Sequence, residues 1–101
     1  MMCDLVVAAE HAQFGIPEVR RGLVAAGDGT RLATRIPLQI ALEMGLRGAP
    51  ITSRRAFELG LVNRVVLAVD VLDTALGLAA LICANGPLAV RRDRATCGAD
   101  R

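Results

Sequence analysis

Short apolar runs open this chain and helical spacings close it. Residues 5–9, Leu5-Val6-Val7-Ala8-Ala9, form a valine-rich apolar run of strand length, which predicts a buried strand. Gln13-Phe14-Gly15 predicts a second short strand, ended by the turn at Pro17. Residues 22–29 are rich in glycine and alanine and predict a loop, with Asp28-Gly29 as its turn. A short helix is expected over 30–35, stopped by Pro37. Pro37 then opens a second helix, where the missing N–H of proline does no harm. In that helix Leu38, Ala41, Leu42 and Gly45 share one face, and Gly48 is placed to cap its C-terminus.

Further along, Thr52 is placed as the N-cap of a helix through Leu59 that stops at Gly60. Residues 61–67 predict a strand. Asp70 with Asp73 gives a capping arrangement that opens the longest helix, to about Ala84. Asn85-Gly86-Pro87 ends it and starts another helix, from Leu88 to about Arg94. The order is two or three short strands followed by mostly helices, an α/β chain. No internal repeat, low-complexity tract or linker divides it.

The 101 residues suffice for one small domain. A chain of this size buries only roughly 60–70% of its unfolded surface, so its stability margin is thin. Yet 53% of it is hydrophobic, and its mean hydropathy is +0.46. That surplus predicts something to cover it: missing chain, other subunits, or both. With two phenylalanines and no Trp or Tyr, the apolar mass is Ala, Val and Leu, as in packed helices.

Charge changes the picture little. Twelve basic residues, all arginine, nearly balance ten acids for a net charge of +2. No aromatic side chains interleave them as stacking platforms, so nucleic acid is not an expected partner. Arg20-Arg21, Arg54-Arg55 and Arg91-Arg92 read as solvated faces. Cys3, Cys83 and Cys97 are odd in number, far apart and without metal spacing. A reducing, cytoplasmic setting is expected from them. Met1-Met2-Cys3-Asp4 is no basic leader, and no apolar stretch is long enough for a bilayer, so a soluble protein without membrane partners is expected.

One carboxylate stands apart. Glu18 follows Pro17, which pushes Ile16 towards extended backbone, and Phe14, Ile16, Val19, Leu23 and Val24 lie close in sequence. A carboxyl held against apolar walls gains proton affinity and suits acid–base work. The alternative is a surface ion pair with Arg20 or Arg21. His11 reads as a surface-turn residue, and Asp28 as a turn former in its glycine loop.

Several stretches, taken in order, resemble the crotonase superfamily, the enoyl-CoA hydratase/isomerase family. Cys3-Asp4-Leu5-Val6-Val7-Ala8-Ala9-Glu10 is similar to the family's core strand after its catalytic helix. Ala12-Gln13-Phe14-Gly15-Ile16-Pro17-Glu18 resembles its A-x-F-G-x-P-E segment. Gly22-Leu23-Val24 and Gly27-Asp28-Gly29-Thr30-Arg31-Leu32 resemble the glycine-rich turn and helix that follow. The run from Thr52 to Val66 resembles the late A-x-x-x-G-L-V-x-x-V signature, here Ala56-Phe57-Glu58-Leu59-Gly60-Leu61-Val62-Asn63-Arg64-Val65. The likeness extends from about Cys3 to about Val90.

This resemblance implies the C-terminal part of a crotonase-like spiral fold. It also implies a role for Glu18 as the general acid–base group in syn addition of water to a 2-enoyl-CoA thioester. Such an enzyme uses no prosthetic group; coenzyme A belongs to the substrate. It further implies that a second glutamate, both oxyanion-hole donors and most of the coenzyme A site lie in sequence upstream of Met1, and Glu10 does not match that second glutamate. Oxyanion donors are each worth roughly 100–1000-fold in rate. The expectation is a partial crotonase-like domain over 1–90, inactive alone, followed by a divergent, frayed tail over 91–101. The turn between Thr30 and Leu32 is about one residue shorter than the family's. Three functional readings follow: a truncated hydratase-like chain, a portion of an active enzyme whose reading frame was begun too late, or a non-catalytic module that associates with full-length crotonase-family subunits as a homo- or hetero-oligomer. Hydratases, isomerases, dehalogenases, thioester hydrolases and ring-forming synthases share the superfamily, and fold does not choose among them. A glutamate at the P-E position favours hydratase or isomerase chemistry.

Overall fold

The computed structural model describes residues 3–24 and 31–97. The sequence calls on Gly27, Asp28, Gly29 and Thr30 fall outside them. Strand β1 (Val7–Ala9) pairs in parallel with β4 (Arg64–Val66), in the register Val7↔Arg64, Ala8↔Val65 and Ala9↔Val66. Strand β2 (Gln13–Phe14) pairs antiparallel with β3 (Ile51–Thr52). A parallel pair requires a crossover connection. Here the crossover carries β2, a 3-10 turn (Pro17–Arg21), helix α1 (Leu38–Arg47), β3 and helix α2 (Ser53–Glu58). After β4 come a second 3-10 turn (Ala68–Asp70), helix α3 (Val71–Cys83) and helix α4 (Pro87–Cys97).

The core lies inside the crossover. Ala8, Ile16, Leu32, Ile36, Ala41, Met44, Ala56, Leu61 and Val62 are buried, with Phe14, Ile40, Ile51 and Val65 packed against them. One polar side chain joins them. Ser53 is fully buried, and its hydroxyl donates to the Glu10 carbonyl at 2.8 Å. Its N–H reaches the Ala12 carbonyl at 3.1 Å. The start of α2 is thereby fixed to the turn between β1 and β2.

Local chemistry explains the helix ends. The Thr52 hydroxyl accepts the Arg55 N–H at 3.1 Å, the N-cap bond expected of this residue. Gly48 ends α1 in the left-handed region, with φ of 69°, and its N–H returns to the Met44 carbonyl. Pro37 is the N-cap of α1, and its carbonyl accepts from Ile40 and Ala41. Arg31 and Leu32 are helical, and the chain then turns through 33–36 instead of continuing a helix to Arg35.

Three expectations are corrected. Residues 61–67 do not form one strand; only Arg64–Val66 is extended in the ladder. Gly60, with φ of 83°, turns the chain back so that Leu61 and Val62 give their N–H groups to the Ala56 carbonyl at the end of α2. Asp70 makes no side-chain cap bond. It is helical already, as the last residue of the 3-10 turn that runs into α3, so the extended backbone of an N-cap is denied to it. Helix α4 continues to Cys97, beyond the expected end at Arg94, where Arg94 pairs with Asp4 across the fold. Strand β3 is additional to the expected strands; at two residues it is too short to show any alternation.

Candidate active site

The segment that carries Glu18 is held at both ends. Before it, Gly15 passes so close to Pro50 that a Cβ there would sit 3.2 Å from the Pro50 Cα. Ile16 is extended, with φ of −128° and ψ of 83°, as the residue before a proline must be. Pro17 begins the 3-10 turn, and Gly22 closes it with φ of 72°. The Glu18 carbonyl accepts the Leu23 N–H at 3.0 Å, and the Val19 carbonyl accepts the Gly22 N–H at 3.1 Å. Helix α1 supports the turn from below: a Cβ on Gly48 would stand 2.8 Å from Arg20 Cγ and 3.1 Å from Val19 Cγ1. Only a glycine lets the end of α1 approach the turn so closely.

Within this frame the Glu18 side chain is half-buried, and its Oε2 is buried with no hydrogen-bond partner among the described residues. Among the described residues no ion pair joins Glu18 to Arg20 or Arg21, both of which are exposed. The surface-pair reading therefore fails. A buried acceptor oxygen without a donor is costly, commonly about 1–3 kcal/mol, and more for a charged group. Such an atom in a native fold calls for an explanation. A group that can bring it a proton-bearing atom, such as a water or a hydroxyl, relieves that cost.

Beside this turn runs an open apolar groove of about 550 Å³ between the 3-10 turn and α1. Ile16 and Val19 line one wall, and Leu38, Ala41, Leu42 and Leu46 line the other. The apolar face expected on this helix thus faces mainly the groove, while the core takes Ala41 and Met44.

The other singled-out residues stay apart. His11 is exposed in the turn after β1, and Glu10 contributes only its backbone to the fold. The three cysteines are free and exposed. Among the described residues no cluster of His, Cys, Asp and Glu is able to hold a metal ion. The six paired arginines at 20–21, 54–55 and 91–92 are all exposed, as expected of solvated faces. Among the described residues no single helix is long and apolar enough to cross a membrane; α3 with its preceding turn and α4 pass such a test only together, bent by 110°. Sequence reasoning missed Ser53, Asn63 and the Gly48–Arg20 contact, which position the site. The only sequence signal for them is polar or glycine residues interrupting otherwise apolar stretches.

The sequence model of the enoyl-CoA hydratase/isomerase family matches residues 1–99. The chain belongs to this family. Among family relatives, it is 44% identical over 90 residues to the mevalonyl-coenzyme A hydratase of Aspergillus fumigatus, matching 88% of this chain and 33% of that protein. Among solved structures, a carnitinyl-CoA dehydratase from Mycobacterium avium superposes with a TM-score of 0.88 at 47% identity, over 93% of this chain and 37% of the other. An enoyl-CoA hydratase from Mycobacterium tuberculosis superposes at 0.85 and 51% identity, over 94% and 40%. The chain therefore spans about a third of the length of the curated family members it matches. Its mixed helix and strand arrangement is the crotonase fold over that stretch.

Proposed function

We propose that this chain is the C-terminal portion of an enoyl-CoA hydratase-type subunit, in which Glu18 is the general acid–base residue for adding water to a 2-enoyl-CoA thioester. One observation carries the reading: the half-buried Glu18 presents a buried oxygen with no partner, on a turn fixed by Pro17, Gly22 and Gly48. A carboxylate kept rigid and short of a donor is suited to take and return a proton of a bound water. The chain's relatives include hydratases and a dehydratase that act on CoA compounds, which supports the same substrate class.

By itself the chain is inactive. Its relatives are about three times as long, and the chain matches only about a third of each. In the complete subunit, the oxyanion donors, the coenzyme A site and a second glutamate come from the portion this chain does not match. The reaction needs no prosthetic group. The whole enzyme would act as a lyase in fatty acid metabolism, in the cytoplasm, as an oligomer of family subunits.

The test is crotonyl-CoA hydration followed by the loss of enoyl thioester absorbance. The purified chain is expected to show no turnover. With the missing portion fused upstream, turnover is expected, and Glu18→Gln should lower it by about 100- to 10,000-fold. Turnover by the chain alone, or a fused enzyme indifferent to Glu18→Gln, would refute the reading.

A further inference from the structure

The 3-10 turn that carries Glu18 has no fully buried residue of its own over Pro17–Arg21. Its closing hydrogen bonds, from the Gly22 N–H to the Val19 carbonyl and from the Leu23 N–H to the Glu18 carbonyl, fix its shape and not its place in the fold. Where the turn stands is set by what it leans on.

Two close contacts meet it, one on each side of Glu18 in sequence, and both come from the same short link. Gly48, Ala49 and Pro50 join α1 to β3. Before Glu18, the antiparallel register Gln13↔Thr52 and Phe14↔Ile51 brings Gly15 opposite Pro50. Pro50 has no N–H with which to continue the ladder. The two backbones close up instead, so that a Cβ on Gly15 would stand 3.2 Å from Pro50 Cα and 3.4 Å from Pro50 Cβ. After Glu18, the buried Gly48 meets the side chains of the next two residues, and a Cβ there would stand 3.1 Å from Val19 Cγ1 and 2.8 Å from Arg20 Cγ. The Arg20 stem has several bonds about which to swing away. Val19 is β-branched and stiff at χ1, so an atom that crowds it displaces the turn.

We propose that the Gly48-Ala49-Pro50 link is the positioning element for Glu18: Gly15 on Pro50, and Gly48 on Val19 and Arg20, set where the carboxylate stands. This inference rests on the reading of Glu18 as the acid–base residue. Neither glycine touches reacting atoms; both act through the turn. A general acid–base group works within about 2.6–3.2 Å of the proton it moves, and a misplacement of about 1 Å can cost about 100-fold in rate. Three glycines separate the causes. Gly15 is crowded without a positive φ, and Gly48 is crowded with φ of 69°. Gly60, outside the link and the turn, has φ of 83° and no described atom within 4 Å of an added Cβ.

The experiment makes Gly15→Ala, Gly48→Ala and Gly60→Ala in the full chain and follows amide exchange at Gly22 and Leu23, whose N–H groups close the turn. Rates are taken against the amides of α3 in the same protein, so that a general loss of stability cancels. The two turn amides should quicken by about tenfold in the first two variants and not in Gly60→Ala. Val19→Ala, a change at an exposed side chain, removes one contact without adding an atom and should quicken the same amides. With the upstream portion joined as in the hydration test, kcat should fall about 10- to 100-fold in Gly15→Ala and Gly48→Ala with KM unchanged. Adding Arg20→Ala to Gly48→Ala should restore part of kcat, and Gly60→Ala should keep the parental value. Turn amides that exchange no faster than in Gly60→Ala would overturn the inference. So would equal losses of kcat in all three glycine variants, or losses confined to KM. If Glu18→Gln abolishes turnover while both crowded variants keep the parental kcat, the link is not a positioning element and Glu18 keeps its role. Turnover untouched by Glu18→Gln, or absent from the joined protein, removes Glu18 as the acid–base residue, and the turn amides alone then decide whether the link places the turn.

Discussion

Asn63 and Val6 hold each other through two hydrogen bonds: the Val6 N–H donates to Asn63 Oδ1 at 2.8 Å, and the Asn63 N–H donates to the Val6 carbonyl at 2.8 Å. The side chain of one residue thereby extends the parallel β1–β4 ladder beyond its last backbone pair. The Glu10 N–H closes the other end on the Val66 carbonyl at 2.8 Å. A ladder of three residue pairs, too short to be stable alone, is finished at both ends.

Asn63→Ala removes the acceptor for the Val6 N–H and should destabilise the chain by about 1–2 kcal/mol. Asn63→Asp keeps an acceptor oxygen and should recover most of the loss. Urea unfolding of the three proteins followed by circular dichroism checks this; equal midpoints would refute the role given to Asn63.

Ser53→Ala deprives the Glu10 carbonyl of its hydroxyl donor at a fully buried position, and about 1 kcal/mol should be lost. Ser53→Val adds volume where none is free and should cost more, about 1–3 kcal/mol beyond that. Thermal midpoints falling in the order parent, Ala, Val are the expected result.

Gly48→Ala and Gly22→Ala separate strain from crowding. Both glycines have positive φ, which costs an alanine about 1–2 kcal/mol. At Gly22 nothing among the described residues lies within 4 Å of an added Cβ, whereas at Gly48 it would meet Arg20 Cγ at 2.8 Å. Gly48→Ala should therefore be the more damaging, and a double change with Arg20→Ala should restore part of the difference. Identical losses at the two positions would remove the close approach as a cause.

Glu18→Gln should leave the stability of the isolated chain unchanged within about 0.5 kcal/mol, or raise it, because the buried oxygen it alters has no donor to lose. A residue conserving the fold would behave in the opposite way. A drop of more than about 1 kcal/mol in urea unfolding would show a hidden structural partner.

Asp4→Asn releases Arg94 and with it the tether between α4 and the start of the chain. The Arg94 proton affinity is raised by its hydrogen bond and charge contact with Asp4. A raised basic group stabilises the fold below its unfolded value, and that contribution is lost only as pH rises through the still higher folded value, in strong alkali. The tether is therefore insensitive to Arg94 titration through the neutral and mildly alkaline range. The Arg94 side chain is 71% exposed and that of Asp4 34%, so solvent screens the pair and the thermal midpoint should move little. Amide exchange over 87–97 should become faster.

Much of this molecule was legible as text. Caps at Thr52 and Gly48, the breaks at Pro37 and Pro87, and the run through Val7 are local effects, set by backbone geometry and side chains within a few residues. So is the extended Ile16 that aims the P-E turn. The ordered motifs sufficed to place the chain in its family, because they sample positions spread along most of its length. What failed to show was non-local. The apolar run at 61–67 reads as a strand, yet Leu61 and Val62 spend their N–H groups on Ala56. Asp70 and Asp73 read as a cap, yet a preceding 3-10 turn takes the geometry away.

The sequence by itself determined which segments turn, which are helical and which carboxylate deserves notice, since those follow from residue type and short spacing. Only the tertiary structure decided that Glu18 has a buried, partnerless oxygen instead of an arginine partner, and that the Leu38–Leu42–Leu46 stripe faces an open groove and not the core. Both depend on which distant segments come to rest against a side chain, and no local pattern encodes that.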